Sequence, residues 1–257
     1  MAPTVSFGIP MTAMIGAEDD AAPWSYADGT GYVNDLVVQA FEAVGWKIVL
    51  EVAPYARCKD DAVEGRIVAC FTTSKTPELE ATLQFPGVPV INVRAALFSM
   101  DSTSFKTCNT ATWPTTPTVA FVRGYEYPKE IEVLRSAKLV REEIVSSEAV
   151  ALKMLAADRV DIAIVNLDAI KSIETVTLQA GLRASDKNRL SKICEYGPMP
   201  GYLAFSRKHP DTGRLLSVFE RGMALLQKRG DVTRLQKQWA IKSFNLEQTR
   251  HGRQRNP

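Results

Sequence analysis

Tyr55 and Trp24 offer flat apolar faces, Thr72 and Ser74 offer hydroxyl hydrogen bonds, and Arg57 and Arg123 offer guanidinium forks suited to an anion. Met11, Tyr125, Glu126, Asn166 and Asp168 complete a polar and aromatic set of the kind that lines a small-molecule cleft. Acid–base chemistry has thinner support. His209 and His251 are the two histidines, one at a helix entrance and one near the C-terminus, and both read as solvated. Glu126 and Asp168 are a carboxylate pair that could face each other across a cleft, although Asp168 serves as easily as a loop cap. Phosphate loops, dinucleotide fingerprints and metal-binding histidine pairs are absent from the sequence, so neither a cofactor nor a metal is expected. Cys58, Cys70, Cys108 and Cys194 fit no C-x-x-C redox pair and no zinc spacing; counting alone leaves two disulfides and four buried thiols equally open.

Bulk properties narrow the partners. With 31 basic and 29 acidic residues the net charge is +2, which gives no strong field toward nucleic acid or a membrane surface. Arg250, Arg253 and Arg255 read as a solvated, frayed tail. No stretch reaches the ~18 consecutive apolar residues of a spanning helix. The chain opens Met1-Ala2-Pro3 without a secretory signal, which reads as a mature protein given a new start codon. At 46% apolar and 257 residues, the chain has enough core for two small domains.

The elements that must position these residues alternate strand and helix. Residues 5–9 read as a strand, 34–44 as a helix with Leu36, Val37, Ala40 and Phe41 on one face, 47–52 as a strand, 56–64 as a short helix, and 67–71 as a buried strand. The order then repeats: strand 118–122, helix 128–137, strand 139–144, a helix capped by Ser147, and strand 160–165. Residues 101–117, rich in Ser, Thr and Pro, separate the halves. A strand at 202–206, a helix at 212–229 stopped by Gly230, and a last helix from Asp231 carrying Trp239 could return to the first half. The expectation is an α/β protein of two lobes, residues 1–92 with 203–257 and residues 93–202, joined by two crossings.

Open parallel sheets bind ligands outside the carboxyl ends of their strands. That rule selects Met11 after the first strand, Tyr55 and Arg57 after the second, and Thr72 and Ser74 after the third. In the other half it selects Arg123, Tyr125 and Glu126, then Asn166 and Asp168. It also brings Cys58 and Cys70 to one sheet edge, where a disulfide would close a short loop. Cys108 and Cys194 fall in the second half and could pair.

Short motifs add a resemblance. Pro23-Trp24-Ser25-Tyr26, Gly31-Tyr32-Val33-Asn34-Asp35-Leu36, Thr76-Pro77-Glu78 followed by Phe85-Pro86, Arg159-Val160-Asp161, and Gly230-Asp231 followed by Trp239 occur in one order and spacing. The chain in this respect resembles the family 3 extracellular solute-binding proteins over nearly its whole length. The resemblance implies a type II periplasmic binding protein fold with a two-strand hinge, a periplasmic location, and a monomer. It also implies closure on a small polar or anionic molecule and delivery to an ABC transporter permease or another membrane or periplasmic receptor. Two departures bear on the ligand. The family's carboxylate-clamping arginine is Leu79 here, and its amine-binding aspartate is Asn166. Losing a buried charge partner costs about 2–5 kcal/mol, so ordinary α-amino acids are not expected in the usual pose, and Arg57 or Arg123 is the expected replacement for the clamp. Two rival readings use the same fold: a sensory or dehydrogenase-associated binding module, and an enzyme resembling cyclohexadienyl dehydratase.

Overall fold

A computed structural model describes residues 12–100 and 105–255. Met11 and the strand expected over 5–9 lie outside them. The first described strand is instead β1 (Thr12–Glu18), which runs parallel to its neighbours and ends at Glu18. A small hairpin, β2 (Asp20–Ala21) and β3 (Ser25–Tyr26), leads into α1 (Tyr32–Glu42). Then come β4 (Lys47–Ala53), α2 (Tyr55–Val63), β5 (Ala69–Ser74), α3 (Pro77–Thr82) and β6 (Leu83–Gln84). The ten-residue β7 (Ile91–Met100) leaves this lobe. The second lobe follows with β8 (Thr118–Val122), α4 (Lys129–Ser136), β9 (Arg141–Val145), α5 (Glu148–Ala156), β10 (Ile162–Leu167), α6 (Ile173–Gln179) and α7 (Ala184–Arg189). The 17-residue β11 (Leu190–Ser206) returns, and α8 (Thr212–Arg229) and α9 (Asp231–Arg255) finish the chain.

Apart from the β2–β3 hairpin, the strands form one curled, mixed sheet rather than two separate parallel ones. Its order is β4-β1-β5-β11-β7-β10-β8-β9, with β6 also paired to β11. Continuity comes from the crossings. β7 and β11 pair antiparallel from Ile91–Gly201 to Met100–Leu190, so the two passages between lobes are hydrogen-bonded to each other. At one end β11 pairs with β5; at the other β7 pairs with β10. Within each lobe the remaining ladders, β1 with β4 and β5 and β8 with β9 and β10, are parallel.

Each lobe has apolar packing on both faces of its part of the sheet. Phe41, Phe71, Phe205, Phe219 and Trp239 are fully buried on the α1–α8 side of the first lobe. Burying an aromatic of this size contributes about 2–3 kcal/mol. α1 and α8 cross closely because Gly222 has no side chain: a Cβ there would overlap the Ala40 carbonyl. The opposite face packs Tyr55, Ile67 and Leu83 around the disulfide Cys58–Cys70. The second lobe packs Leu152 and Val165 on one face, and Phe121 and Ile164 on the other. A second disulfide, Cys108–Cys194, lies in that lobe. Ser147 caps α5 by accepting from Val150 N–H, and Gly230 ends α8 at φ 73°. α9 is longer than its apolar pattern suggests. Its backbone is helical through Arg255, so Arg250, Arg253 and Arg255 continue a helix rather than a frayed tail. It packs on α1, α8 and the second lobe's α6, with Ser243 Oγ donating to the Ile170 carbonyl at 3.3 Å.

Candidate functional site

Between the lobes lies a cavity of about 30 Å³, room for about two water molecules. Trp24, Tyr55, Thr72 and Ser74 line it from the first lobe, and Tyr125, Glu126 and Asn166 from the second. The crossing strands add Ile91, Val93, Met199 and Gly201 as its apolar back. Six of the residues selected by the strand-end rule therefore share one cavity, together with Trp24.

The reason is local. β5 runs on to Ser74, so Thr72 and Ser74 occupy the strand's last turn of pleat beside β11. Pro54 starts α2, which places Tyr55 at its first turn and Lys59 one turn later on the same face. Gly124, in the left-handed conformation at φ 81°, turns the chain after β8 so that Tyr125 and Glu126 point back toward the first lobe.

The lobes touch through polar side chains. Tyr55 Oη donates to Glu126 Oε2 at 2.7 Å, the Ser74 N–H donates to the same oxygen at 3.2 Å, and Lys59 Nζ donates to Glu126 Oε1 at 2.6 Å and to the Gly124 carbonyl at 2.5 Å. Tyr125 Oη donates to Glu18 Oε1 at 2.6 Å. Trp24 Nε1 donates to Asp168 Oδ2 at 2.9 Å. The Tyr55 and Tyr125 rings meet edge to face, centroids 5.3 Å apart. Burial, with the neighbouring Glu126 and Glu18 charges, pushes both phenols well above the ordinary tyrosine range, so they remain O–H donors.

Beneath this contact sits a buried pair. Lys171 is ion-paired with Glu148, and its ammonium lies 4.2 Å from the centroid of the Trp24 ring. Glu148 Oε1 accepts the Asn166 N–H at 2.8 Å, which fixes the end of β10. Asn166 Oδ1 is buried and has no partner among the described residues. Glu18 is also buried, and its Oε2 is likewise without a hydrogen-bond partner. Desolvation, only partly offset by the Tyr125 hydrogen bond and the Lys171 charge, pushes its carboxyl up to about 8.

Three selected residues fall elsewhere. Arg57 is exposed on α2 and lies 3.6 Å from Asp61, one turn further on. Arg123 is exposed and borders a neighbouring hollow with Glu18, Pro54 and Ala56. Neither guanidinium lines the central cavity. Asp168 accepts from the Ile170 and Lys171 N–H groups as well as from Trp24, and it borders a separate cavity of about 260 Å³ with Tyr32, Ile170 and Gln236. It is the cap of its loop and a tie between lobes, and it does not face Glu126 across the cavity as a catalytic pair would. At the position of the family's arginine, Leu79 packs with the apolar cluster that includes Tyr55.

Sequence reasoning missed Glu18, Lys59, Glu148 and Lys171. Glu18 was hidden because residues 12–18, which end in it, were not read as a strand. Lys59 carried a readable signal: it stands four residues after Tyr55 in a helix, on the same face. Lys171 and Glu148 have no sequence signal, since they meet only through the fold.

No family model matches the chain, and no curated protein matches it in sequence. Solved structures match it in shape. A histidine kinase sensor domain with similarity to periplasmic binding proteins superposes with a TM-score of 0.73 at 18% identity, covering 90% of this chain and 96% of that one. An ancestral arginine-binding protein bound to arginine gives 0.71 at 16% identity, covering 90% and 99%. A substrate-binding protein of an amino acid ABC transporter gives 0.70 at 14% identity, covering 89% and 98%. Identity this low speaks for the fold alone. With two lobes, two crossing strands and a cavity at the strand tips between them, the chain has the fold of the periplasmic binding proteins.

Proposed function

We propose that this protein is an extracytoplasmic solute receptor: two lobes, residues 1–92 with 203–257 and residues 93–202, close about the β7–β11 hinge on a small polar molecule. The observation that carries this reading is the cavity itself, which is lined from both lobes and bridged by hydrogen bonds that break when the lobes part. Trp24, Tyr55, Thr72, Ser74, Tyr125 and Asn166 are the ligand contacts in this reading. The solute is handed to a membrane permease, as in the amino acid transporter proteins of the same fold. Two disulfides favour an oxidising compartment such as the periplasm. Binding is favoured over turnover because Glu126, the carboxylate lining the cavity, is already ion-paired and doubly hydrogen-bonded, which leaves no free general base there among the described residues.

The test is a thermal-shift screen of small solutes combined with small-angle scattering. A true ligand raises the melting temperature and keeps the radius of gyration at the closed value. Should no solute raise the melting temperature, the receptor reading fails. A second reading, a sensory module that signals by the same closure, is favoured by the likeness to the kinase sensor domain. Closure that recruits a kinase and leaves transport unaffected would select it.

A further inference from the structure

The carboxylate of Glu126 is held as a bound ligand would be. It belongs to the second lobe, yet three donors of the first lobe converge on it: Tyr55 Oη and the Ser74 N–H on Oε2, and Lys59 Nζ on Oε1. Both oxygens are met, one by a cation and the other by two neutral donors. The site is largely dry, with the Glu126 and Lys59 side chains only 10% and 16% exposed. Tyr55 and Lys59 come from successive turns of α2, and Ser74 from the end of β5, so the three donors form a cradle supplied by the first lobe alone.

The geometry points to an anion site in the first lobe, built on Lys59, that Glu126 fills as a tethered stand-in. The natural solute then carries a carboxylate that displaces Glu126. This rests on the receptor reading and assigns the solute its class. Three observations favour a carboxylate over a cation. Lys59 already neutralises Glu126, so an incoming amine finds no unpaired charge there. Arg57 and Arg123 stand outside the cavity, whereas Lys59, from the first lobe, meets the Glu126 carboxylate that lines it. Closure without an anion in the cradle would bury Lys59 unpaired, which is strongly unfavourable. Glu126 removes that obstacle and lets the empty protein close. The consequence is competition. A tethered group acts at an effective concentration in about the millimolar range, and an external carboxylate must outcompete it.

Chemical rescue tests this. Glu126→Ala removes a side chain end the size of acetate and leaves the cradle open. Sodium acetate, at ionic strength matched with sodium chloride, is expected to raise the melting temperature of Glu126→Ala saturably, with a midpoint at least about tenfold lower than for the wild type. The double variant Lys59→Met/Glu126→Ala is expected to lose the response. Glu126→Asp, which keeps the charge but shortens its reach, serves as the second variant if Glu126→Ala does not fold, and its midpoint is expected between the two. Methylammonium chloride is the opposing probe. A wild-type shift with methylammonium and none with acetate overturns the assignment, and so does an acetate response that survives loss of Lys59. Scattering on the same samples separates this proposal from the receptor reading. Acetate that binds Glu126→Ala without compacting it supports the cradle and counts against closure. Compaction by other solutes but not by acetate does the reverse.

Discussion

Lys171 and Glu148 carry opposite charges into a place where neither would survive alone. Both side chains are at least 95% buried, with exposures of 3% and 5%. Removing one partner strands the other charge, and such breaks cost about 3–5 kcal/mol. Lys171→Met is therefore expected to lower the unfolding free energy by that amount, measured by urea denaturation, while Lys171→Met/Glu148→Leu recovers most of it. Glu18 makes a different prediction. Its carboxyl titrates near 8 in the folded protein against an ordinary value of 4.5. Between those two values the folded state holds a proton that the unfolded state has lost, so stability falls as pH rises from about 4.5 to about 8, and the full contribution is present below that window. Calorimetry across the window is expected to show a flatter decline for Glu18→Gln than for the wild type. An equal slope would mean that Glu18 is ionised. At this scale chain order was readable in part, since Arg123 and Asp168, selected by the same rule as the cavity residues, border other hollows. Tyr55, Thr72, Ser74 and Asn166 were all found from chain order, and the structure brings them together. Arg57 was misjudged because sequence gives the distance along a helix but not the side turned toward the cleft: Arg57 and Lys59 are two residues apart and point differently.

The turn after β8 shows what an element contributes that its residues do not. Gly124 takes φ 81°, and a Cβ there would lie 2.9 Å from the Ala56 Cβ of the other lobe. Gly124→Ala adds both backbone strain and an inter-lobe clash. The expected outcome is a larger radius of gyration without ligand and a weakened Lys59–Glu126 contact, read by small-angle scattering; an unchanged radius would show that the contact can absorb a methyl group. Elements with one clean period were legible. α8 matches the expected 212–229 because its apolar residues recur along one face and Gly230 stops it. β11 was seen only at its end. Its middle carries Gly197, Pro198, Pro200 and Gly201, residues that normally announce a loop, and its pairing with β7 tolerates them through register shifts between Lys192 and Cys194 and between Tyr196 and Met199. Tertiary pairing overrode local chemistry there, which no local pattern reveals.

For the molecule as a whole, two lobes could be read from the repeated strand–helix order, whereas the single sheet that joins them could not, because it depends on β7 and β11 finding each other 90 or more residues apart in sequence. The disulfides show what such long-range links contribute. Cys58–Cys70 closes a separation of 12 residues and Cys108–Cys194 one of 86. Chain-entropy arguments give about 3 kcal/mol for the short loop and about 4.5 kcal/mol for the long one. Cys108→Ser/Cys194→Ser is therefore expected to lower the melting temperature more than Cys58→Ser/Cys70→Ser. The reverse order would place the larger contribution in packing around Cys58, where Gly16 leaves no space for a side chain.

The long helix α9 leans on α1 in one lobe and on α6 in the other. Any parting of the lobes must then slide or release that brace, so the proportion of molecules resting open is governed partly from outside the mouth. Since apparent affinity scales with the share of molecules ready to receive a ligand, the receptor function proposed above implies that a change near Ser243, which does not line the cavity, can tune affinity as effectively as one beside Tyr55.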